Sequence, residues 1–256
     1  KYMCTFTDAA SGYMVVYTIA RKKDASDCFK KLYAFVEDAK VRTKPGHEIR
    51  TIKRLLTDRG GEFTSQIDGE TMSRFNKAAK KRGVKQMFSS AYVSRHNGRA
   101  ERTNRTVGEG MRCALIESGF KWSWWPEAAK YATFTANRVE RVDAKGLSNY
   151  TRFTGLKSGG ERLIPFGQHG QRALAKPKNK KGVLVKSEKV RMIGYPDNTK
   201  GYEVVDKDGT RHTLEHVEFA HTRKPVKGGY TAREDDMVKA AIAPDPRHSD
   251  DSIDQP

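Results

Sequence analysis

Two runs near the start of the chain, Tyr-Met-Cys-Thr-Phe-Thr from Tyr2 and Met-Val-Val-Tyr-Thr-Ile from Met14, are rich in β-branched and aromatic residues and are separated by Asp-Ala-Ala-Ser-Gly. They predict an antiparallel hairpin with a tight turn. Over 24–41 the period changes: Cys28, Leu32, Phe35, Val36 and Ala39 recur at helical spacing, Asp24 is placed to cap, and Pro45-Gly46 ends the segment. Thr51 to Thr57 then reads as a buried strand, Glu70 to Arg82 as a helix stopped by Gly83, and Val84 to Phe88 as a short strand. A polar loop at 89–97 leads into a long helical pattern over 98–118 that ends at Gly119, and Pro126 opens another helix reaching about Val139. Strands mixed with helices in this order predict a three-layer α/β domain with a mixed sheet over 1–145, followed by a linker at 146–165.

Beyond residue 165 the pattern turns to short β-rich pieces, Gly182–Val185, Val190–Tyr195, Tyr202–Val205 and Thr213–Phe219, divided by Pro-Asp-Asn and Asp-Lys-Asp-Gly. Such pieces predict a small β-barrel over 166–222. From 223 to 256 Pro, Gly, Asp and Ser dominate, which predicts a disordered tail. No internal repeat is evident.

Charge narrows the class of partner. Lys and Arg total 49 against 31 Asp and Glu, a net +18. Residues 1–140 contribute +12 and 141–222 another +7, while 223–256 carry −1, so the excess belongs to the predicted folded part. That balance favours a polyanion, nucleic acid first. The longest apolar run, Met14 to Ala20, is too short to span a bilayer, no secretory signal opens the chain, and no segment has the amphipathic make-up of a membrane-surface helix, so no membrane is expected. Cys4, Cys28 and Cys113 are widely spaced and fall in no metal-ligand grouping; they read as reduced core thiols. The aromatic trio Trp122, Trp124 and Trp125 reads as packing rather than as a base-stacking platform.

Three acids stand at informative places. Asp8 ends the first strand run, Asp58 ends the third and is followed by Gly60-Gly61, and Glu101 falls in the first turn of the long helix. Singly, each reads more readily as a turn cap or surface charge. If the strand ends are adjacent and Glu101 leans over them, three carboxylates converge. Hard divalent cations relieve their repulsion, and two metals roughly 3.5–4 Å apart can clamp the oxygens of a phosphodiester exchange. Asp8 would then bridge both ions, with Asp58 and Glu101 completing one site each.

At these residues the sequence resembles the integrases of copia-type LTR retrotransposons and, more distantly, retroviral integrases. Phe6-Thr7-Asp8 with Gly12-Tyr13 is similar to the family's opening motif, Thr57-Asp58-Arg59-Gly60-Gly61-Glu62-Phe63 to its second, and Asn97-Gly98-Arg99-Ala100-Glu101-Arg102-Thr103-Asn104-Arg105-Thr106 to its third. Trp125-Pro126-Glu127-Ala128 with Asn137-Arg138, then Pro165-Phe166-Gly167, Ile193-Gly194-Tyr195, Gly201-Tyr202 and Val217-Glu218-Phe219, continue the likeness. The resemblance implies an RNase H-like core whose catalytic metal ligands are Asp8, Asp58 and Glu101, and not Glu62. It departs from the family in the 42 residues between Asp58 and Glu101, a longer spacing that implies an insertion around Gln66 to Thr71. The usual Pro-Gln before the glutamate is replaced by Ser94-Arg95-His96-Asn97. The N-terminal His/Cys zinc module is missing and the first residue is Lys1, which fits a chain cut from a longer protein.

The implied activity is strand transfer of element DNA 3′ ends into target DNA, with two Mg²⁺ or Mn²⁺ ions, by a homo-oligomer of four or more chains. Location in the nucleus after a cytoplasmic particle, and a host chromatin tether, follow from the same resemblance. Candidate DNA contacts are Arg95, His96, Asn97, Arg99, Arg102 and Arg105 near Glu101, with Lys85 on the same edge, and Lys178, Lys180 and Lys181 in the basic run that starts at Lys176. Arg102 and Arg105 equally suit a solvated basic face, and the lysine run equally suits a solvated loop, a phosphate track or a nuclear address. Two alternatives stand beside this reading: a non-catalytic DNA-binding or scaffolding subunit, and a ribonuclease H-type nuclease, which leaves the C-terminal motifs unexplained.

Overall fold

β1 (Tyr2–Thr7) and β2 (Met14–Ile19) form the expected antiparallel hairpin, with Tyr2 opposite Ile19 and Thr7 opposite Met14. Alternation along β1 sends Cys4 and Phe6 into an apolar cluster, while Thr5 and Thr7 point to a helix on the opposite side. That cluster is built on α1 (Ala25–Arg42), whose Ala25, Phe29, Leu32 and Val36 share one buried stripe, and on Phe75, Ala78 and Ala79 of α2 (Arg74–Lys80). Phe29 and Phe75 are fully buried, with ring centroids 5.4 Å apart. The computed structural model describes residues 2–49, 51–58, 60, 63, 73–89, 98–140, 146–160, 163–174, 186–197 and 199–219.

Asp24 stands at the N-cap of α1, as expected, but its carboxylate makes no cap bond and accepts from Arg21 instead. Ser73 caps α2 by accepting from the Asn76 N–H, and the residues 70–72 expected to begin that helix lie outside the described residues. β3 (Arg54–Thr57) is shorter than the expected strand and pairs in parallel with β4 (Lys85–Phe88), Arg54 opposite Lys85 and Thr57 opposite Phe88. The hairpin and the parallel pair are separate ladders that share the apolar cluster, to which Leu55 of β3 and Val15 and Tyr17 of β2 contribute.

The second helical layer is α3 (Gly98–Ser118) and α4 (Trp125–Arg138), packed side by side. Gly110 permits the contact, because a Cβ there would lie 3.0 Å from the Cβ of Ala132. The hairpin is therefore sandwiched between α1 and these two helices, the three layers that the pattern predicts. A further helix, α5 (Asn149–Thr154), sits in the stretch expected to be a linker. Its ends were legible: Ser148 accepts from the Thr151 N–H at 3.0 Å, and Gly155 stops the helix at φ +73.

Five strands follow: β5 (His169–Leu174), β6 (Lys186–Gly194), β7 (Tyr202–Asp206), β8 (Arg211–Leu214) and β9 (Glu218–Phe219), in the spatial order 8-7-6-5-9. The meander and the return of the last strand onto the first suit a small barrel, although the described ladder leaves β8 and β9 at its two edges. Tyr202 and Phe219 bring β7 and β9 into ring contact at 5.0 Å. The run expected as one strand over 213–219 is broken at 215–217, because its end crosses to pair with β5. The expected strand at 182–185 lies outside the described residues, as does the stretch from 220 onward.

This sheet packs directly on α3 and α4: Phe166, Ile193 and Val205 share a buried cluster with Ala114, Leu115 and Ala128. Arg191 on β6 staples the join, donating to the Ser118 carbonyl and to the Gly167 carbonyl at 3.2 Å, with its guanidinium 3.8 Å from the Phe120 ring centre. Two readings from the sequence need correction. Trp124 and Trp125 pack as expected, but Trp122 is 58% exposed on a 3-10 turn; Cys28 is buried and Cys4 half-buried, but Cys113 is exposed, since it falls on the outer face of α3.

Candidate active site

The chain leaves β1 at Asp8 and turns back at once, and the turn is built around that carboxylate. Asp8 Oδ2 accepts from the Ser11 N–H at 2.7 Å and the Ser11 hydroxyl at 2.6 Å, while the Gly12 N–H donates to the Asp8 carbonyl at 3.0 Å. Gly12 has φ +77, and a Cβ there would press to 3.1 Å on Asn149 Oδ1. Two guanidiniums hold the loop from outside: Arg99 donates to the Ala9 carbonyl, and Arg152 of α5 donates to the Ala10 carbonyl at 2.6 Å. Below the turn Tyr13 stacks on Phe153 at 4.6 Å, and burial pushes its phenol up to about 12.

Glu101 is exposed in the first turn of α3, where the helix dipole favours an anion. Its neighbours fix its place. Thr103 contacts Thr7 through the two hydroxyls at 2.7 Å, the Thr5 hydroxyl donates to Asn104 Oδ1 at 2.6 Å, and Arg99 reaches Ala9. The residues on both sides of Glu101 in the helix thus touch the residues on both sides of Asp8 in the strand. These contacts dock the first turns of α3 on the Asp8 end of β1, while Glu101, two residues from both Arg99 and Thr103, lies on another face of the helix and is exposed.

Asp58, also exposed, caps the turn after β3, its Oδ1 accepting from the Gly60 N–H at 3.0 Å. The Phe63 N–H donates to the Gly60 carbonyl at 2.9 Å, and the Phe63 ring packs edge-on against Phe75 at 4.9 Å. The Asp58 turn is therefore tied to α2 and β4 rather than to β1. The carboxylate oxygens of Asp8, Asp58 and Glu101 are not gathered within 4.8 Å of one another; among the described residues the set that meets that distance is Glu188, Asp206 and Asp208 on the five-stranded sheet. Two of that set belong to the turn after β7, with Glu188 on β6: Asp206 Oδ1 accepts from the Asp208 and Thr210 N–H groups and Oδ2 contacts His212, whose hydrogen bond holds the Asp206 carboxyl below the usual range. The donor chemistry of the first trio, three carboxylates, fits a hard divalent cation.

Among the other expected contacts, Arg102 and Arg105 are exposed on α3, with Arg105 one turn past Glu101 on the same face. Arg99 is engaged at the Asp8 turn. Lys85 does not share the edge, because its register with Arg54 puts it at the end of β3–β4 opposite Asp58. Arg95, His96 and Asn97, Glu62, the insertion at 66–71, and Lys176, Lys178, Lys180 and Lys181 lie outside the described residues. Sequence reasoning missed Ser11, Thr103 and Arg152 as the groups that position the edge. Ser11 had a signal, an Asp-x-x-Ser turn, whereas Thr103 and Arg152 are visible only once the chain is folded.

Comparison with known proteins identifies the family of the first part of the chain. Residues 1–94 match the family model described as "Integrase core domain". The chain is 32% identical over 208 residues to the "Retrovirus-related Pol polyprotein from transposon TNT 1-94" of Nicotiana tabacum, which covers 80% of the chain and 14% of that polyprotein. It is 27% identical over 171 residues to the "Transposon Ty1-LR3 Gag-Pol polyprotein" of Saccharomyces cerevisiae, covering 66% of the chain and 9% of that protein. The chain thus spans a small part of these relatives. A chain of the simian T-cell lymphotropic virus intasome in complex with PP2A regulatory subunit B56 gamma superposes with a TM-score of 0.47 at 13% identity, covering 87% of this chain and 73% of that one.

Proposed function

We propose that this chain, which belongs with the integrases of LTR retrotransposons and matches the integrase core domain over residues 1–94, performs metal-dependent strand transfer of element DNA 3′ ends into target DNA. The observation that supports this reading is the pair of contacts, Thr7 with Thr103 and Ala9 with Arg99, that docks the first turns of α3 on the Asp8 end of β1. Asp8, Asp58 and Glu101 would hold two Mg²⁺ or Mn²⁺ ions. Bound there, the cations would supply charge stabilisation at the phosphate and a more acidic attacking hydroxyl.

The chain's own groups then have separate tasks. Ser11 orients the Asp8 carboxylate through Oδ2, and Gly60 orients Asp58 through Oδ1. Arg102 and Arg105 meet the phosphate backbone of the incoming ends. In the reaction, the oxygen of a 3′-hydroxyl bonds to a target phosphorus as that phosphorus loses its own 3′ oxygen; the attacking hydroxyl's proton passes to solvent, and the leaving 3′ oxygen takes a proton from it. A homo-oligomer that brings two DNA ends together, acting in the nucleus, completes the proposal. Its support is the polyprotein kinship and the charge of +18.

The test is a joining assay with paired duplex ends and a plasmid target in Mg²⁺ or Mn²⁺. Asp8→Asn, Asp58→Asn and Glu101→Gln should each abolish product while duplex binding persists. Full activity in any of them refutes the assignment, and cutting of RNA in hybrids without joining of DNA would favour the nuclease instead.

A further inference from the structure

We propose that Gln86 is the positioning residue for Asp58, acting through the turn that carries this acid. The side chain of Gln86 leaves β4 on the inner face and its Nε2 donates twice, to the Thr57 hydroxyl at 3.0 Å and to the Phe63 carbonyl at 3.1 Å. Thr57 immediately precedes Asp58, and Phe63 ends the turn that follows it. One carboxamide thus spans the mouth of the turn and fixes both of its ends to the neighbouring strand. The direction of the amide is set by chemistry, since the Phe63 carbonyl can only accept and so must face the NH₂.

Three features show that this is a built contact. Gln86 Oε1 is screened from water and makes no hydrogen bond among the described residues, a burial cost accepted to keep the donor in place. Phe63 is fixed from the other side by its ring on Phe75 and its N–H on the Gly60 carbonyl. Gly60 is also the residue whose N–H orients Asp58 Oδ1. A path of direct contacts therefore runs from Gln86 through Phe63 and Gly60 to the carboxylate. An ordinary strand side chain facing the apolar cluster at this position would be Leu or Val, which holds neither end of the turn.

The role rests on the proposed function, since it matters most if Asp58 holds a metal, so the test separates the two. Full-length chains carrying Gln86→Leu, Thr57→Val and both changes are compared with the unaltered chain in three measurements: hydrogen exchange at the Gly60 and Phe63 amides, Mn²⁺ affinity of the DNA-free chain by electron paramagnetic resonance, and the Mg²⁺ dependence of joining. Gln86→Leu should speed exchange at both amides, weaken Mn²⁺ binding about tenfold, and reduce joining by between tenfold and roughly a hundredfold, with duplex DNA affinity unchanged. Thr57→Val should show a smaller effect, and the double change should cost less than the product of the two. If Gln86→Leu lowers the melting temperature while leaving Mn²⁺ affinity and the Mg²⁺ midpoint unmoved, Gln86 is only a packing residue and the proposal fails. Should Gln86→Leu not fold, Thr57→Val alone decides by the same measurements. If the unaltered chain joins no DNA, the functional reading fails instead, and faster amide exchange still reports on the clamp.

Discussion

Asn137 of α4 reads the backbone of Met14 as a sheet neighbour would: its Oδ1 accepts the Met14 N–H at 2.9 Å and its Nδ2 donates to the Met14 carbonyl at 2.7 Å. The amide is 2% exposed, so α4 supplies both hydrogen bonds that the outer edge of β2 lacks at its first residue. Because Met14 opposes Thr7, the same amide helps set the strand end from which Asp8 projects.

Asn137→Leu should therefore unfold more easily by about 2–4 kcal/mol, from two buried backbone groups left without partners. Asn137→Asp, which keeps an acceptor but cannot donate when ionised, should lose nearly as much. Urea denaturation followed by circular dichroism measures both. A loss below that expected of a surface substitution would mean that Met14 finds other partners.

Glu127 and Arg211 join the five-stranded sheet to α4. Their 2.6 Å ion pair has a carboxylate that is almost buried and a guanidinium that is largely exposed and lies 5.1 Å from the Trp124 ring centre. Removing the cation leaves a buried anion, so Arg211→Met should cost about 1–3 kcal/mol, less than a fully buried pair because water can reach the site. Glu127→Gln with Arg211→Met together should cost less than Arg211→Met alone. A double-mutant cycle on thermal unfolding reads the sign directly.

Alkaline pH probes the packing under the Asp8 turn. Burial holds the Tyr13 phenol near 12, above its ordinary value of 10. A group whose folded pKa is raised contributes stability that is complete below the unfolded value and disappears as pH climbs through the folded one. Between about pH 10 and pH 12 the chain should lose up to roughly 2–3 kcal/mol on this account. Tyr13→Phe, which cannot ionise, should flatten that part of the profile relative to the unaltered chain. Parallel slopes in the two would mean that Tyr13 is solvated.

Most of the first layer was legible from periodicity: the hairpin, α1, α3 and α4 appear within a residue or two of their expected ends, because each carries a strong apolar stripe or a clear turn. What escaped was set by partners far away in the chain. β5 is His-Gly-Gln-Arg-Ala-Leu, with no apolar alternation, and becomes a strand only because β6 and β9 flank it. α5 spans six residues, too few for a period to declare itself, and only its cap residues betrayed it. For the site, the identity of the three acids came from motifs, but the clamp made by Gln86 and the seat made by Thr103 are relations between strands and helices that no local pattern encodes.

The Pro165-Phe166-Gly167 motif has a packing reason that can be measured. Phe166 is buried between α3 and the sheet, and Gly167, at φ +78, donates to the Met192 carbonyl at 2.7 Å. A Cβ at Gly167 would collide with the Ser118 side chain and sit 3.1 Å from the Ser118 Cα. Gly119 has a similar φ of +66 but open space around it. Gly119→Ala should cost only the left-handed backbone penalty, about 1–2 kcal/mol, whereas Gly167→Ala should cost about 2–4 kcal/mol through overpacking in addition. Equal losses in chemical denaturation would show that the helix end can shift to accept the methyl group.

Arg105 provides the sharpest check on how DNA meets the α3 edge. It is exposed one helical turn past Glu101, and no ion pair holds it among the described residues. If it neutralises one phosphate, Arg105→Gln should weaken duplex binding and make the slope of log affinity against log salt shallower by about 0.9. The change should be the same for unrelated duplex sequences, since a phosphate contact carries no base information. Arg112, two turns further along the helix, is the control. It is exposed and basic, but a duplex that ends at Asp8 and Glu101 need not reach it, so Arg112→Gln should leave the slope unaltered. Fluorescence anisotropy across a salt series distinguishes the two, and identical slopes for both variants would remove Arg105 from the interface.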